Sequence, residues 1–293
     1  MLGRLAAAGT RVEQEVWALW QVGRAGGLTP MPTRRLGAIS AAMRDYGPIG
    51  AAVTTAAIRH GDRIALIDER GALSFADLEA RSNAVANNWR ERGLVAGDAV
   101  AILARNHRGF IDALFAAAKS GARIVLLNTD FGALQLREVL DREGADFLVY
   151  DEEYSAAVAD LDPRIGKMVA WTDSTVDNSV EAAISQGDSS PPPRPGGRSK
   201  LVVLTSGTTG TPKGAPRSEP RSMLPAGGLL SKAPFRAREV TECCVPLFHA
   251  LGFGHLMLGL LLGSTLVVRR RFDAQRALDS LAEHRATAMI ACR

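Results

Sequence analysis

The stretch Leu201-Val202-Val203-Leu204-Thr205-Ser206-Gly207-Thr208-Thr209-Gly210-Thr211-Pro212-Lys213-Gly214 decides how the rest of the chain is read. Four consecutive apolar residues are the signature of a strand buried on both faces. The residues after Leu204 cannot continue that apolar run, because hydroxyl side chains and glycines replace it. Glycines let the backbone turn tightly and bring its N–H groups close to an anion. The hydroxyls can donate to phosphate oxygens or help to hold a divalent metal, and the Lys213 ammonium can neutralise a polyphosphate. Thr205, Ser206, Gly207, Thr208, Thr209, Gly210, Thr211, Lys213 and Gly214 are therefore the candidate phosphate-binding residues. The spacing is not that of a Walker A loop, since Pro212 interrupts it. A polar surface turn accounts for most Gly/Ser/Thr clusters, but not for so long a string ending in Pro-Lys-Gly.

Upstream of this segment stands Gly187–Lys200, with three consecutive prolines, which excludes a helix or a central strand and reads as a linker or long surface loop. Between residues 62 and 150, short apolar runs at Arg63–Ile67, Ala99–Leu103, Arg123–Leu127 and Asp146–Tyr150 read as strands. Helical stretches separate them. Ser74 and Asp77 form a capping box, Leu78, Val85 and Trp89 share one face, and Gly93 ends that helix. Two further helices, Phe110–Ala118 and Leu134–Leu140, stop at Gly121 and Gly144. Downstream, strands are expected at Val240–Val245, Leu266–Val268 and Ala286–Ala291, with a helix near Ala274–Glu283. This alternation predicts an α/β fold of layered, mostly parallel sheets. The expected organisation is an N-terminal extension (1–47), a first α/β lobe (48–186), a Pro/Gly-rich linker (187–199) and the start of a second lobe with the phosphate loop (200–293).

Composition narrows the functional classes. The 293 residues are 46% hydrophobic and 23% charged, so the chain is not disordered overall. The net charge of +4 does not call for nucleic acid, and the basic stretch Arg194–Arg238 contains a single aromatic, Phe235. Three cysteines, two of them adjacent at Cys243 and Cys244, fit neither a disulfide framework nor a zinc site and suggest a reducing, cytoplasmic setting. No metal-ligand spacing or nucleophile elbow is present. Leu251–Val268 is uncharged, but its glycines, His255, Ser264 and Thr265 favour a buried helix ending at Gly263 followed by a strand over a membrane span. In the lead-in, Val16, Trp17, Leu19 and Trp20 lie on a short amphipathic stretch. Two readings of it stand side by side: a helix or tail packed on the domain, and a peripheral membrane contact.

With these residues in view, Thr205–Gly214 resembles the signature phosphate loop of the AMP-forming adenylating enzymes. Three other segments agree in order: Leu73-Ser74-Phe75-Ala76-Asp77-Leu78, Lys119-Ser120-Gly121-Ala122 followed by Leu127-Asn128, and Pro246-Leu247-Phe248-His249-Ala250-Leu251-Gly252. The last is similar to a motif common in fatty acyl-CoA synthetases. The resemblance implies activation of a fatty or other carboxylic acid by ATP to an acyl-adenylate, with Mg²⁺, and transfer to coenzyme A. It places His249, as the candidate catalytic residue, near the acyl and adenylate pocket; a hydrogen-bonded histidine at a strand–helix junction is the other reading. It also implies an N-terminal portion only. The family's adenine-binding strand, ribose-binding aspartate, hinge and small C-terminal domain have no counterpart before Arg293, so a complementing C-terminal fragment is an expected partner. A non-catalytic remnant that binds nucleotide phosphates or a partner chain is the competing expectation.

Overall fold

The computed structural model describes the backbone of residues 2–205, 213–217 and 222–291, and the side chains among these except at 2–9, 205 and 213–217. In chain order the elements are α1 (Leu2–Arg24), α2 (Thr33–His60), β1 (Ile64–Asp68), β2 (Gly71–Ser74), α3 (Phe75–Glu91), β3 (Ala99–Leu103), α4 (Arg108–Lys119), β4 (Arg123–Leu126), α5 (Ala133–Glu143) and β5 (Phe147–Asp151). They continue with β6 (Gly166–Trp171), α6 (Val180–Gln186), β7 (Lys200–Thr205), β8 (Lys213–Arg217), α7 (Leu224–Lys232), β9 (Val240–Cys243), α8 (Ala250–Leu262), β10 (Thr265–Val268), α9 (Ala274–Glu283) and β11 (Ala288–Ile290).

The strands form two sheets, ordered β6-β5-β3-β4-β7-β8 and β11-β9-β10-β1-β2. Each is parallel except for one antiparallel edge strand, β8 in the first and β2 in the second. The expected α/β class with mostly parallel sheets is what the molecule adopts. Both sheets draw strands from either side of residues 187–199: β1 pairs with β10, and β7 pairs with β4.

Strand periodicity explains the layering. In β3, Val100 and Ile102 face an inner core shared with Leu66 of β1 and Leu266 and Val268 of β10. Ala101 and Leu103 face the opposite side, against Leu136, Val139 and Leu140 of α5. The inner layer holds α2, α3 and α4, and every residue of α4 is buried. The order is therefore α5, first sheet, inner helices, second sheet, α9. The uncharged segment 251–268 is α8 followed by β10, joined at Gly263 in the left-handed region, and no helix among the described residues is long and apolar enough to cross a membrane.

Local chemistry sets the element ends as expected. The Asp77 N–H donates to Ser74 Oγ at 3.0 Å, and the Ser74 N–H donates to Asp77 Oδ2 at 2.8 Å. Leu78, Val85 and Trp89 of the same helix are buried. The lead-in forms more helix than its sequence suggests. α1 packs on α7 where Ala18 meets Gly227, and α2 runs to His60 through a kink at Gly47 (φ 72°, ψ 178°), a conformation open to glycine, with Pro48 next to it.

Of the two readings of residues 187–199, linker or long surface loop, the segment has the form of a surface loop strapped to α2 and α3. The amide of Asn87 donates to the carbonyls of Asp188 (2.9 Å) and Ser190 (3.0 Å), that of Asn83 to Ser189 (3.1 Å), and the Tyr46 hydroxyl to Pro192 (2.5 Å). Prolines cannot donate ladder hydrogen bonds, so α2 and α3 supply donors to the strap's carbonyls instead.

Candidate functional site

The strands that bound the candidate phosphate loop form a hairpin. β7 and β8 pair antiparallel, with Thr205 opposite Lys213 and Leu204 opposite Gly214. The residues that bound the candidate loop are thus brought together at its base. Ser206, Gly207, Thr208, Thr209, Gly210 and Thr211 lie outside the described residues. β7 runs parallel to β4, with Val203 opposite Leu126, so the loop leaves the sheet at the carboxyl ends of its parallel strands. In open α/β sheets this is the edge where ligands bind.

His249 stands at the corresponding edge of the second sheet. β9 ends at Cys243, the chain passes through Val245, Pro246 and Leu247, and His249 is the residue that opens α8. The His249 N–H donates to the Pro246 carbonyl at 3.1 Å, and the Phe253 N–H donates to the His249 carbonyl at 2.9 Å. Its ring is exposed, lies against that of Phe248 (centroids 4.5 Å apart) and makes no capping hydrogen bond. It therefore sits at a strand–helix junction with its ring free of the helix end. Gly252 is required for a steric reason: a Cβ there would stand 2.2 Å from the Pro246 oxygen.

Asn106 joins the two edges through the segment that leads to His249, and it was not among the sequence candidates. Asn106, just past β3, donates from Nδ2 to the Val245 carbonyl (2.8 Å) and accepts from the Leu247 N–H at Oδ1 (2.7 Å). All three residues are buried. The side-chain amide thus replaces a strand partner for the segment that leads to His249. The polar run Arg105-Asn106-His107 directly after a buried strand was the available signal; the partners are about 140 residues away in sequence.

Its neighbours hold that loop in place. The Gly109 N–H donates to His107 Nδ1 at 3.1 Å, which assigns the proton to Nε2, and Nε2 bonds Asp151 Oδ1 at 2.8 Å. The other Asp151 oxygen accepts from the Arg105 N–H at 2.9 Å. Close by in sequence, Arg108 pairs with buried Asp68. Burial pushes that carboxyl up, but the Arg108 hydrogen bonds outweigh it and hold Asp68 below the usual carboxylate range. Lys119 is a structural residue: its ammonium is fully buried among Glu79 Oε2 (2.7 Å), Ser82 Oγ (2.9 Å) and Asn83 Oδ1 (2.6 Å). Among the described residues no three His, Cys, Asp or Glu side chains come together as a metal site.

Residues 53–292 match the AMP-binding enzyme family. The chain is 31% identical over 234 residues to feruloyl-CoA synthase of Amycolatopsis sp, covering 79% of this chain and 44% of that protein. It is 32% identical over 249 residues to long-chain fatty acid transport protein 1 of Bos taurus, covering 78% and 38%. The chain spans less than half the length of these relatives. Two solved structures share the fold. One is the inhibitor-bound N-terminal domain of FACL13 from Mycobacterium tuberculosis (TM-score 0.74, 24% identity, 83% of this chain and 62% of that one). The other is O-succinylbenzoate coenzyme A synthetase from Bacillus subtilis with ATP and magnesium ion (TM-score 0.68, 23% identity, 81% and 62%). With a match that runs from residue 53 to residue 292, over most of the chain, this protein is a member of the AMP-binding enzyme family.

Proposed function

We propose that this chain carries the nucleotide-phosphate site of an acyl-activating ligase, whose substrate is a fatty or other carboxylic acid and whose final acceptor is coenzyme A. The observation that carries the reading is the β7–β8 hairpin, which sets Thr205 against Lys213 at the sheet edge. In the reaction, a carboxylate oxygen attacks the α-phosphorus of ATP, the bond to pyrophosphate breaks, and an acyl-adenylate forms. The coenzyme A thiol then takes the acyl group and AMP leaves. Backbone N–H groups at Gly207, Gly210 and Gly214, with the hydroxyls of Thr205, Ser206, Thr208, Thr209 and Thr211, would bind the departing phosphates. Lys213 would offset the charge that accumulates on them. Magnesium would share that charge while held chiefly by the phosphates. His249, exposed at the start of α8, would border the acyl group. The setting proposed is cytoplasmic.

The test is acid-dependent ATP–pyrophosphate exchange, run on this chain alone and with a complementing C-terminal fragment, beside direct ATP binding. Expected are ATP binding by this chain and exchange once the fragment is supplied. No ATP binding in either preparation would refute the reading. Binding without exchange in both would favour a phosphate-binding role that is not catalytic.

A further inference from the structure

The outer face of α1 is apolar and faces solvent. Val12 (62% exposed), Val16 (60%), Trp20 (55%), Leu19 (42%) and Trp17 (41%) recur at helical spacing on one side. Ala18, Val22 and Ala25 on the other side are buried, with α7 packed against that face. The helix has thus already satisfied its inward face, and a second apolar arc containing two tryptophans remains. α1 also lies before the family match, which begins at residue 53.

Charge identifies what this arc fits. Residues 1–44 carry six arginines against two acids, Glu13 and Glu15. That excess of four equals the net charge of the whole 293-residue chain, so the remaining 249 residues balance. Glu15 is turned inward, accepting from the Met223 N–H at 3.0 Å, which leaves Glu13, set between Trp20 and Trp17 around the helix, as the exposed carboxylate of this helix and the one negative charge within the arc's margin. Arg24 lies over the Trp20 ring, 4.7 Å from its centroid. A second copy of the same basic face would meet like charge; an anionic surface would not. Tryptophans flanked by arginines on an apolar helix face suit a bilayer interface, where an indole ring rests at headgroup depth and guanidinium groups reach the phosphates.

We propose that α1 docks this protein on an anionic lipid bilayer, lying in the interface with its Val12–Trp20 arc inserted and Arg24, beside Trp20, at the headgroups. The docking needs no nucleotide, so it stands or falls separately from the ligase reading.

The experiment is flotation of the whole chain with phosphatidylcholine vesicles, with and without phosphatidylglycerol, at low and high salt, together with tryptophan emission. The other two tryptophans, Trp89 and Trp171, are buried, so a blue shift on vesicle addition reports Trp17 and Trp20. Expected are binding that requires phosphatidylglycerol, weakens with salt and shifts emission to the blue. Arg24→Gln should weaken binding about fivefold. A Trp17→Ser/Trp20→Ser double variant should weaken it about tenfold or more, with an unchanged circular dichroism spectrum. Failure to float with phosphatidylglycerol vesicles would overturn the proposal, as would wild-type flotation by the double variant. A dimer in sedimentation that this variant abolishes, without vesicle binding, would assign the face to a second copy.

Discussion

Replacing Asn106 by alanine tests whether the edge of the second sheet is held by that one amide. The substitution removes two hydrogen bonds of 2.7 and 2.8 Å, leaving the Leu247 N–H without its partner and the Val245 carbonyl with only the weak Cys243 thiol donor at 3.6 Å. Val245 is 2% exposed and Leu247 0%, so neither backbone group reaches bulk solvent by simple relaxation. The abandoned Leu247 N–H costs about 1–3 kcal/mol and the weakened Val245 carbonyl about 1 kcal/mol more, while a water admitted to the vacated space recovers part of that, so the net loss is roughly 2–4 kcal/mol. In a chain of this size a loss of 1 kcal/mol lowers the melting temperature by about 2–4 °C, so Asn106→Ala should melt roughly 5–15 °C below wild type. Amide hydrogen exchange locates the effect. Leu247 should lose protection first, while the α4 amides keep theirs against local opening. An unchanged melt with undiminished Leu247 protection would show that the segment leading to His249 is held by other contacts.

The same network and its surroundings set three further expected outcomes. Lys119→Met should destabilise the fold by about 3 kcal/mol in urea titrations, because Glu79 keeps its charge beside a lost ammonium; a shift near zero would mean that Glu79 is solvated independently. His60 is held at about 4 by burial and by Arg59, Arg238 and Arg63, whereas the unfolded chain binds that proton near 6.5. Its contribution is therefore present above pH 6.5 and lost as pH falls toward 4, by about 2 kcal/mol after allowance for its partial exposure. His60→Phe should flatten the stability profile between pH 7 and 5, and an unchanged slope in that variant would refute the assignment. Lys213→Ala, in the presence of the complementing fragment, should weaken ATP binding and slow exchange about ten- to a hundredfold, with acyl affinity nearly unchanged. A loss confined to acyl affinity would place Lys213 in another pocket.

Much of the architecture was legible in the sequence because it depends on local chemistry. The Ser74–Asp77 box, the stop at Gly93, the turn at Gly144 and the apolar runs of β3, β4, β5, β7 and β10 are set by neighbours within a few residues. The candidate loop stands out for the same reason, since its hydroxyls, glycines and lysine are contiguous. The polar–apolar mixture of Leu251–Val268 also sufficed to separate a buried helix and strand from a membrane span. Other features rest on contacts between distant segments, and no local pattern carries them. The pairing of β1 with β10, some 200 residues apart, distributes strands from both sides of residues 187–199 between the two sheets. In sequence a linker and a long surface loop look alike at the strap, because its donors, Asn83, Asn87 and Tyr46, belong to distant helices. Lys119 reads as one residue of a motif until Glu79, Ser82 and Asn83 close around it. Asn106 stayed hidden for the same reason: a side-chain amide pairs with any exposed backbone edge, and only the packing of one sheet against the other determines which edge it meets.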